Sequence, residues 1–305
     1  MIYILFFLLF TFLILTHSEI SLYYAFHGLT IWYQKMVPSL LPFMILSGTI
    51  VKLNLTESVV SLFHPLLGRI YRCNPNVSYG ILMGFLCGFP MGARTAGDLL
   101  REEKINISEA RFLMAFANNI GPVYFLTFVI PTLQITNLPT ALMGMYGIPI
   151  IYGIFLRNTF FRKELDIIFQ KKAYYINKKG QQKTPKTRPD LLTALDEAVR
   201  GGISSISLLC GYMILFNLLN LLPHLLLPDL HGYIAPILEI TGGILLKSTV
   251  PVVYFLILLS FGGLSCMAQT KSMIYNTGLS IREYTLHKLV LTGLTALYYG
   301  ILVRT

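Results

Sequence analysis

An apolar run that begins near Val77 is interrupted at residues 84–95, which read Gly-Phe-Leu-Cys-Gly-Phe-Pro-Met-Gly-Ala-Arg-Thr. A plain membrane-spanning helix needs neither the three glycines nor the proline and arginine found here. Inside a bilayer a broken helix is stable only where protein or water satisfies its backbone N–H and C=O groups. A charged residue at such a break marks a functional site by default. The segment therefore predicts either a helix end, with Arg94 reaching the interface, or part of a substrate site.

The composition decides the class of protein. Of 305 residues, 54% are hydrophobic and 12% are charged, whereas soluble domains carry about 25% charged residues. We predict an all-α, polytopic integral membrane protein with about 7–9 membrane helices, including short re-entrant or broken segments, and two internal structural repeats. The net charge is +10, and residues 157–190 hold ten Lys/Arg against three acidic residues, which supplies +7 of it. This is typical of a cytoplasmic loop and predicts no nucleic-acid partner.

The apolar segments divide the chain into four regions. Residues 1–27 predict an N-terminal membrane helix, Ile2–Thr16, followed by an aromatic interfacial segment. No basic residue precedes this helix, so we expect it to be retained rather than cleaved as a signal peptide. Residues 28–156 form a first repeat, 157–190 the basic cytoplasmic loop, and 191–305 a second repeat.

The cysteines and the catalytic motifs exclude several other functions. Cys73, Cys87, Cys210 and Cys266 lie far apart, without a C-x-x-C pair or nearby histidines, so we expect no metal site, disulfide framework or cofactor. The sequence contains no G-x-S-x-G, no H-E-x-x-H and no paired aspartates in a span. We therefore do not expect an enzyme.

A second polar break reads Asn-Asn-Ile-Gly-Pro at residues 118–122. Ser108 is the predicted N-cap of the helix that leads to it, with Glu109 favourable in the first turn. Asparagines in membrane helices hydrogen-bond neighbouring helices, but polar residues in spans also mark solute pathways. Both interpretations stay open, and the second makes Asn118 and Asn119 substrate-facing.

The second half of the chain repeats the order of the first: spanning helix, short segment, broken helix, charged connection and capped helix. The aligned pairs at the broken helices are Gly88 with Gly263, Pro90 with Ser265, Ala93 with Ala268, Arg94 with Gln269, and Thr95 with Thr270. Glycine-interrupted segments at corresponding positions of two halves are the best sequence pointer to a transporter's binding site. The short segment of the second half adds Glu239 and Thr241 as candidates for ion or proton coupling.

The charge of the connections predicts the orientation of the helices. If the basic loop is cytoplasmic, residues 94–111 and 271–288, with four and three Lys/Arg, are also inside. Residues 132–139 and 223–232, which have none, are then outside. This count favours parallel halves, and an inverted arrangement would need one short segment to cross the membrane fully.

Several of these motifs resemble those of one family. The motifs are Gly-Phe-Pro-Met-Gly-Ala-Arg at 88–94, Ser-Glu-Ala at 108–110, Asn-Asn-Ile-Gly-Pro at 118–122, Pro-Ser-Leu-Leu-Pro-Phe at 38–43, and Glu-x-Thr-Gly at 239–242. They are similar to the signature of YlbJ-type sporulation integral membrane proteins, of the nucleoside-recognition or Gate domain group, which is distantly like the concentrative nucleoside transporters. The family often has lysine where this chain has Arg94, which keeps the charge and changes its geometry.

The resemblance implies a multi-pass, transporter-like protein in the membrane of a spore-forming bacterium, for example the forespore-engulfing membrane. YlbJ-type members are linked to moving dipicolinic acid, a pyridine dicarboxylate. Further partners implied are the lipid bilayer, a second copy of the chain and other sporulation membrane proteins.

The leading hypothesis is a transporter or permease for a small polar, anionic solute, dicarboxylate-like or nucleoside-like. Helix N-termini at the breaks favour anions, and Arg94 is suited to a carboxylate. The alternative is a non-transporting assembly or maturation factor whose breaks only pack helices. The predicted substrate-binding residues are Gly88, Pro90, Gly92, Arg94, Thr95, Asn118, Asn119, Gly263, Ser265, Gln269 and Thr270.

Overall fold

The computed structural model describes residues 1–169, 190–245 and 250–302, and these residues form helices and their connections without a β-strand. Most of the predicted basic loop, residues 170–189, lies outside the described residues. The N-terminal half contains α1 (Ile2–Thr16), α2 (Ser18–Lys52), α3 (Thr56–Val60), α4 (His64–Tyr71), α5 (Pro75–Cys87), α6 (Met91–Arg101), α7 (Ile107–Phe116), α8 (Pro122–Leu133) and α9 (Leu138–Asn158). The C-terminal half contains α10 (Leu191–Leu218), α11 (Leu221–Leu226), α12 (His231–Leu238), α13 (Ile240–Leu245), α14 (Val252–Phe261), α15 (Gly263–Met273) and α16 (Ile281–Leu302).

Within the described part of the chain, four stretches are long and apolar enough to cross a membrane. They are α2, α9, α10 together with α11, and α14 together with α15. The helices α1 and α8 are apolar but shorter. The prediction of a helical membrane protein is confirmed, while the number of spans and the two repeats stay predictions.

The start of α7 corrects one local prediction. Its N-cap is Asn106, not Ser108, because the Asn106 side chain accepts the Glu109 N–H and the Glu109 carboxylate accepts the Asn106 N–H. This reciprocal capping box satisfies two of the N–H groups that a helix start leaves free. Ser108 instead lies within the first turn.

The two halves of the chain pack against each other. Helix α10 packs along α2, α15 packs against α6, and α16 packs against α7. Each of these pairs joins two elements that the predicted repeat aligns with each other. The breaks of the helices therefore lie at the interface between the halves.

The first half of this interface depends on small residues. Gly84 lies so close to the next helix that a Cβ there would be 1.9 Å from the carbonyl oxygen of Ala117. No side chain fits that space, so the glycine allows α5 to approach the second break. The sequence thereby brings the first two breaks side by side.

Candidate functional site

Four breaks interrupt the described helices. They lie between α5 and α6 at Gly88, between α7 and α8 at residues 117–121, between α12 and α13 at Glu239, and between α14 and α15 at Gly262. Gly88 has φ +79° and Gly262 has φ +89°, in the left-handed region that disfavours residues with a Cβ. At Gly88 a Cβ would also lie 2.2 Å from the backbone nitrogen of Gly121. Both conformation and space therefore require glycine at the first break.

These breaks border one cavity of about 270 Å³, close to the lower end of the range of about 300–1,000 Å³ for small-molecule sites. Its wall is mainly apolar, with Leu40, Phe43, Phe89 and Leu259 among its residues. The polar or thiol-bearing side chains in the wall are Ser39, Cys87, Tyr124, Glu239, Thr241, Cys266 and Gln269. An apolar wall with a few polar groups is the usual composition of a site for a small organic molecule.

Glu239 contributes a buried carboxylate to the cavity wall. The residue is 2% exposed, and its carboxylate accepts the backbone N–H groups of Thr241 at 3.1 Å and Gly242 at 2.6 Å. The Asn217 amide donates a further bond at 3.4 Å. Glu239 therefore fixes the start of α13 as well as facing the cavity.

Asn118 joins three elements behind the cavity. Its Oδ1 accepts the backbone N–H of Ala93 at 3.2 Å, while its Nδ2 donates to Tyr284 at 2.9 Å and to Thr270 at 3.3 Å. These bonds connect the second break to the start of α6, to α15 and to α16. The Ala93 N–H at the start of α6 is thus paired within the protein.

Asn119, the neighbouring amide, lies against a cation that the sequence analysis missed. Lys288 Nζ donates to Asn119 Oδ1 at 3.0 Å and to the Ser260 carbonyl oxygen at 3.3 Å. Lys288 is 1% exposed, so it was wrong to count it among the basic residues of a solvated connection. The signal in the sequence was a lysine beyond the charged first turn of α16, directly before the apolar remainder of that helix.

Arg94 lies away from the cavity. Its Nη1 donates to the Gly201 carbonyl oxygen at 3.0 Å, and its Nε is 3.5 Å from an Asp98 carboxylate oxygen. It borders a separate pocket of about 210 Å³, whose other charged residues are Lys52, Asp98, Arg101, Glu102 and Glu197. Lys52 and Glu197 form an ion pair across this pocket, between α2 and α10.

Some of the remaining predicted residues line the cavity, and the others form or flank the helix breaks. Gln269 lines the cavity and donates to Ser265 at 2.9 Å along α15. Among the predicted substrate-binding residues, Gln269 is the one that borders the main cavity, together with Glu239 and Thr241 of the predicted coupling site. The others form or flank the breaks, and their role in binding stays a prediction: Gly88, Pro90, Gly92, Arg94, Thr95, Asn118, Asn119, Gly263, Ser265 and Thr270.

With this geometry in view, the chain can be compared with known proteins. It is 27% identical over 224 residues to the sporulation integral membrane protein YlbJ of Bacillus subtilis (strain 168), and the match covers 70% of this chain and 54% of that protein. The resemblance to YlbJ-type proteins is confirmed. The chain spans about half the length of the curated relative it matches. No protein-family profile matches the sequence, and no solved structure matches it.

The match and the apolar helices agree on the class of protein. The chain is a multi-pass helical membrane protein related to an integral membrane protein of sporulation. Neither line of evidence indicates catalysis.

Proposed function

We propose that this protein is a membrane transporter or permease for a small polar solute that carries one or more carboxylates, and that it acts in sporulation. The observation that carries the proposal is the meeting of the helix breaks around one cavity of about 270 Å³. Broken membrane helices are stable where they border protein or a water-filled space, and transporters commonly form their sites from such breaks.

The chemistry of the wall supports a compact solute with an apolar body. Phe43, Phe89 and Leu259 offer apolar and aromatic contact, while Tyr124, Thr241 and Gln269 offer hydrogen bonds. Helix α8 begins at the cavity, since Gly121 and Val123 belong to the wall. The positive end of its dipole favours an anion there. A dicarboxylate such as dipicolinate fits this description, and a nucleoside-like solute is the second candidate.

Glu239 and Thr241 are the proposed coupling site. The carboxylate is buried, borders the cavity and is held by neutral donors. Buried carboxylates in membrane segments are typical of proton and ion relays. A proton or a small cation bound at Glu239 would therefore be coupled to occupation of the cavity.

The test is solute flux in proteoliposomes with radiolabelled dipicolinate and uridine. Ser39 lies in α2 and borders the cavity, so Ser39→Trp should obstruct it and reduce flux of the transported solute about tenfold or more. Ser207→Trp is the matched control, because Ser207 is an exposed serine of α10 outside the cavity wall. Equal flux from the wild type and Ser39→Trp would contradict a transport route through this cavity.

The alternative function is a non-transporting assembly factor. One observation favours this alternative. The polar groups of Arg94 and Asn118 form hydrogen bonds and an ion pair within the chain, and neither residue lines the cavity. An assembly factor would give proteoliposomes without flux of either solute and would co-purify with other sporulation membrane proteins or with a second copy of itself.

The proposed location of the protein is the cell membrane of a spore-forming bacterium, with the forespore-engulfing membrane as the proposed site of action.

A further inference from the structure

Lys288 is a buried cation whose described partners are neutral. Its residue is 1% exposed, and its ammonium group donates to one amide oxygen, of Asn119, and one backbone oxygen, of Ser260. Among the residues that the structure describes, no carboxylate forms an ion pair with it. An uncompensated buried charge is costly. Such a residue, bonded to Asn119 at one helix break and to Ser260 beside another, calls for a functional explanation.

The position of Lys288 relative to the cavity supplies one. Its Nζ lies 4.5 Å from the centroid of the Phe89 ring, and Phe89 belongs to the cavity wall. The ammonium group is therefore separated from the cavity by one aromatic ring, which attracts the cation through its face.

Glu239 is the opposing charge in the wall, and its surroundings differ. Its carboxylate is compensated by two backbone N–H groups and an amide at the start of α13. Lys288 has two neutral oxygens and the faces of the Phe89 and Tyr284 rings instead. Neither group forms an ion pair among the residues that the structure describes. Of the two, Lys288 carries the positive charge that would attract an anionic ligand.

We propose that Lys288 is the anion-selecting residue of the cavity and that the Phe89 ring is the cover between its ammonium group and the solute. The ligand class is a carboxylate or an anion of similar size. This inference rests on the proposed transport function and deepens it, because it names the residue that selects the charge of the solute.

The alternative is that Lys288 has a purely structural role. In that case its bonds to the Ser260 carbonyl, near the end of α14, and to Asn119 would only hold two breaks together, since a cation near a helix C-terminus stabilises free carbonyls. Such a role affects stability but not the charge preference of the cavity. The experiment must therefore measure that preference rather than flux alone.

Cys87 in the cavity wall is the reporter for this measurement. In membranes that contain the full-length protein with Cys73, Cys210 and Cys266 replaced by alanine, Cys87 is labelled with two methanethiosulfonate reagents of similar size. One carries an anionic sulfonatoethyl group and the other a cationic trimethylammonioethyl group. The ratio of the anionic to the cationic labelling rate reports the sign of the charge that the cavity accepts, whatever the natural solute is.

The expected result is a ratio that falls at least about tenfold in Lys288→Met and stays near the parent value in Lys288→Arg. A unit charge about 10 Å away at an effective dielectric constant of about 20 changes the local ion concentration by at least that factor. Arg282→Met is the matched control, because it removes the same charge from an exposed position of α16. It should leave the ratio unchanged.

Phe89→Leu tests the cover without removing the charge. Loss of the ring should expose the ammonium group and raise the ratio, so the proposal stays testable even if Lys288→Met does not fold. If Lys288→Met folds and its labelling ratio equals the parent ratio, Lys288 does not select the charge of the solute. If Lys288→Met does not fold, an unchanged ratio in Phe89→Leu leads to the same conclusion. Either result leaves the transport proposal intact. If neither reagent labels Cys87, the cavity is closed to water, and the proposed function fails together with this inference.

Discussion

Replacement of Asn118 by alanine tests the connection between the two halves of the chain. The change removes the hydrogen bonds to Ala93, Tyr284 and Thr270 and leaves a backbone N–H at the start of α6 without its partner. A buried hydrogen bond contributes about 0.5–1.5 kcal/mol, and a buried donor left without a partner costs about 1–3 kcal/mol. Measured averages between membrane helices are smaller, about 0.6 kcal/mol per bond. We therefore expect Asn118→Ala to lower the free energy of unfolding by about 2–4 kcal/mol.

The assay is reversible unfolding in mixed dodecylmaltoside and dodecyl sulfate micelles, followed by far-ultraviolet circular dichroism. Asn158→Ala is the matched control, since Asn158 is exposed at the end of α9 and, within the described part of the chain, its side chain donates to the Ile154 carbonyl of its own helix. That change should alter the free energy of unfolding by less than about 0.5 kcal/mol. An Asn118→Ala variant with the same free energy of unfolding as this control would refute the reasoning.

Two further predictions concern the first break and the connection after α9. Gly88→Ala places a Cβ 2.2 Å from the Gly121 nitrogen at a φ of +79°, and it should cost about 2–3 kcal/mol in the same titration. Gly211→Ala, which has open space around it, should not destabilise the protein. The hydrogen bond from Arg157 holds the pKa of the Asp166 carboxyl, outside the membrane-spanning segments, below its ordinary value. The contact between Asp166 and Arg157 therefore stabilises the folded protein at pH values above the carboxyl pKa of the unfolded chain, about 3.9. This stabilisation is lost as the pH falls through the carboxyl pKa of the folded protein. Unfolding midpoints between about pH 2 and pH 5 should accordingly vary less with pH in Asp166→Asn than in the wild type.

The positions of three breaks could be predicted from the sequence because their signals are local. Gly88, the Gly-Pro pair at 121–122 and the Gly-Gly pair at 262–263 interrupt apolar runs. Glycine alone does not decide the position, since Gly84 lies inside α5. The correct cap of α7 was also visible, since Asn106 and Glu109 have the spacing of a capping box. Ser108 was the wrong choice because residue type was weighed without that spacing.

The partners of the charged residues depend on packing that one sequence does not reveal. The four-residue spacing of Arg94 and Asp98 suits an ion pair on one helix face, but the contact of Arg94 with Gly201 requires knowledge of how α6 meets α10. Lys288 shows the same limit. From its position early in α16, Lys288 is predicted to be one of the cytoplasmic charges. The packing of α16 against the breaks shows instead that Lys288 is buried.

This packing changes which residues are expected to meet the solute. The sequence predicts a counter-ion role for Arg94, whereas the structure places Arg94 beside Asp98 and outside the cavity. Lys288 lies behind the cavity wall instead, one ring away from it. In the labelling experiment Arg94→Gln should leave the charge preference at Cys87 unchanged, because Arg94 borders the separate pocket and Lys288 lies one ring from the cavity.

The central claim is that the helix breaks enclose one solute site between the halves of the chain. The most direct measurement is a density map of the protein in lipid nanodiscs prepared with dipicolinate. The account predicts solute density in the cavity between Phe89, Gly121 and Glu239, with its carboxylates on the Lys288 side. An empty and closed cavity, or one filled by a lipid acyl chain in the presence of saturating solute, would contradict it.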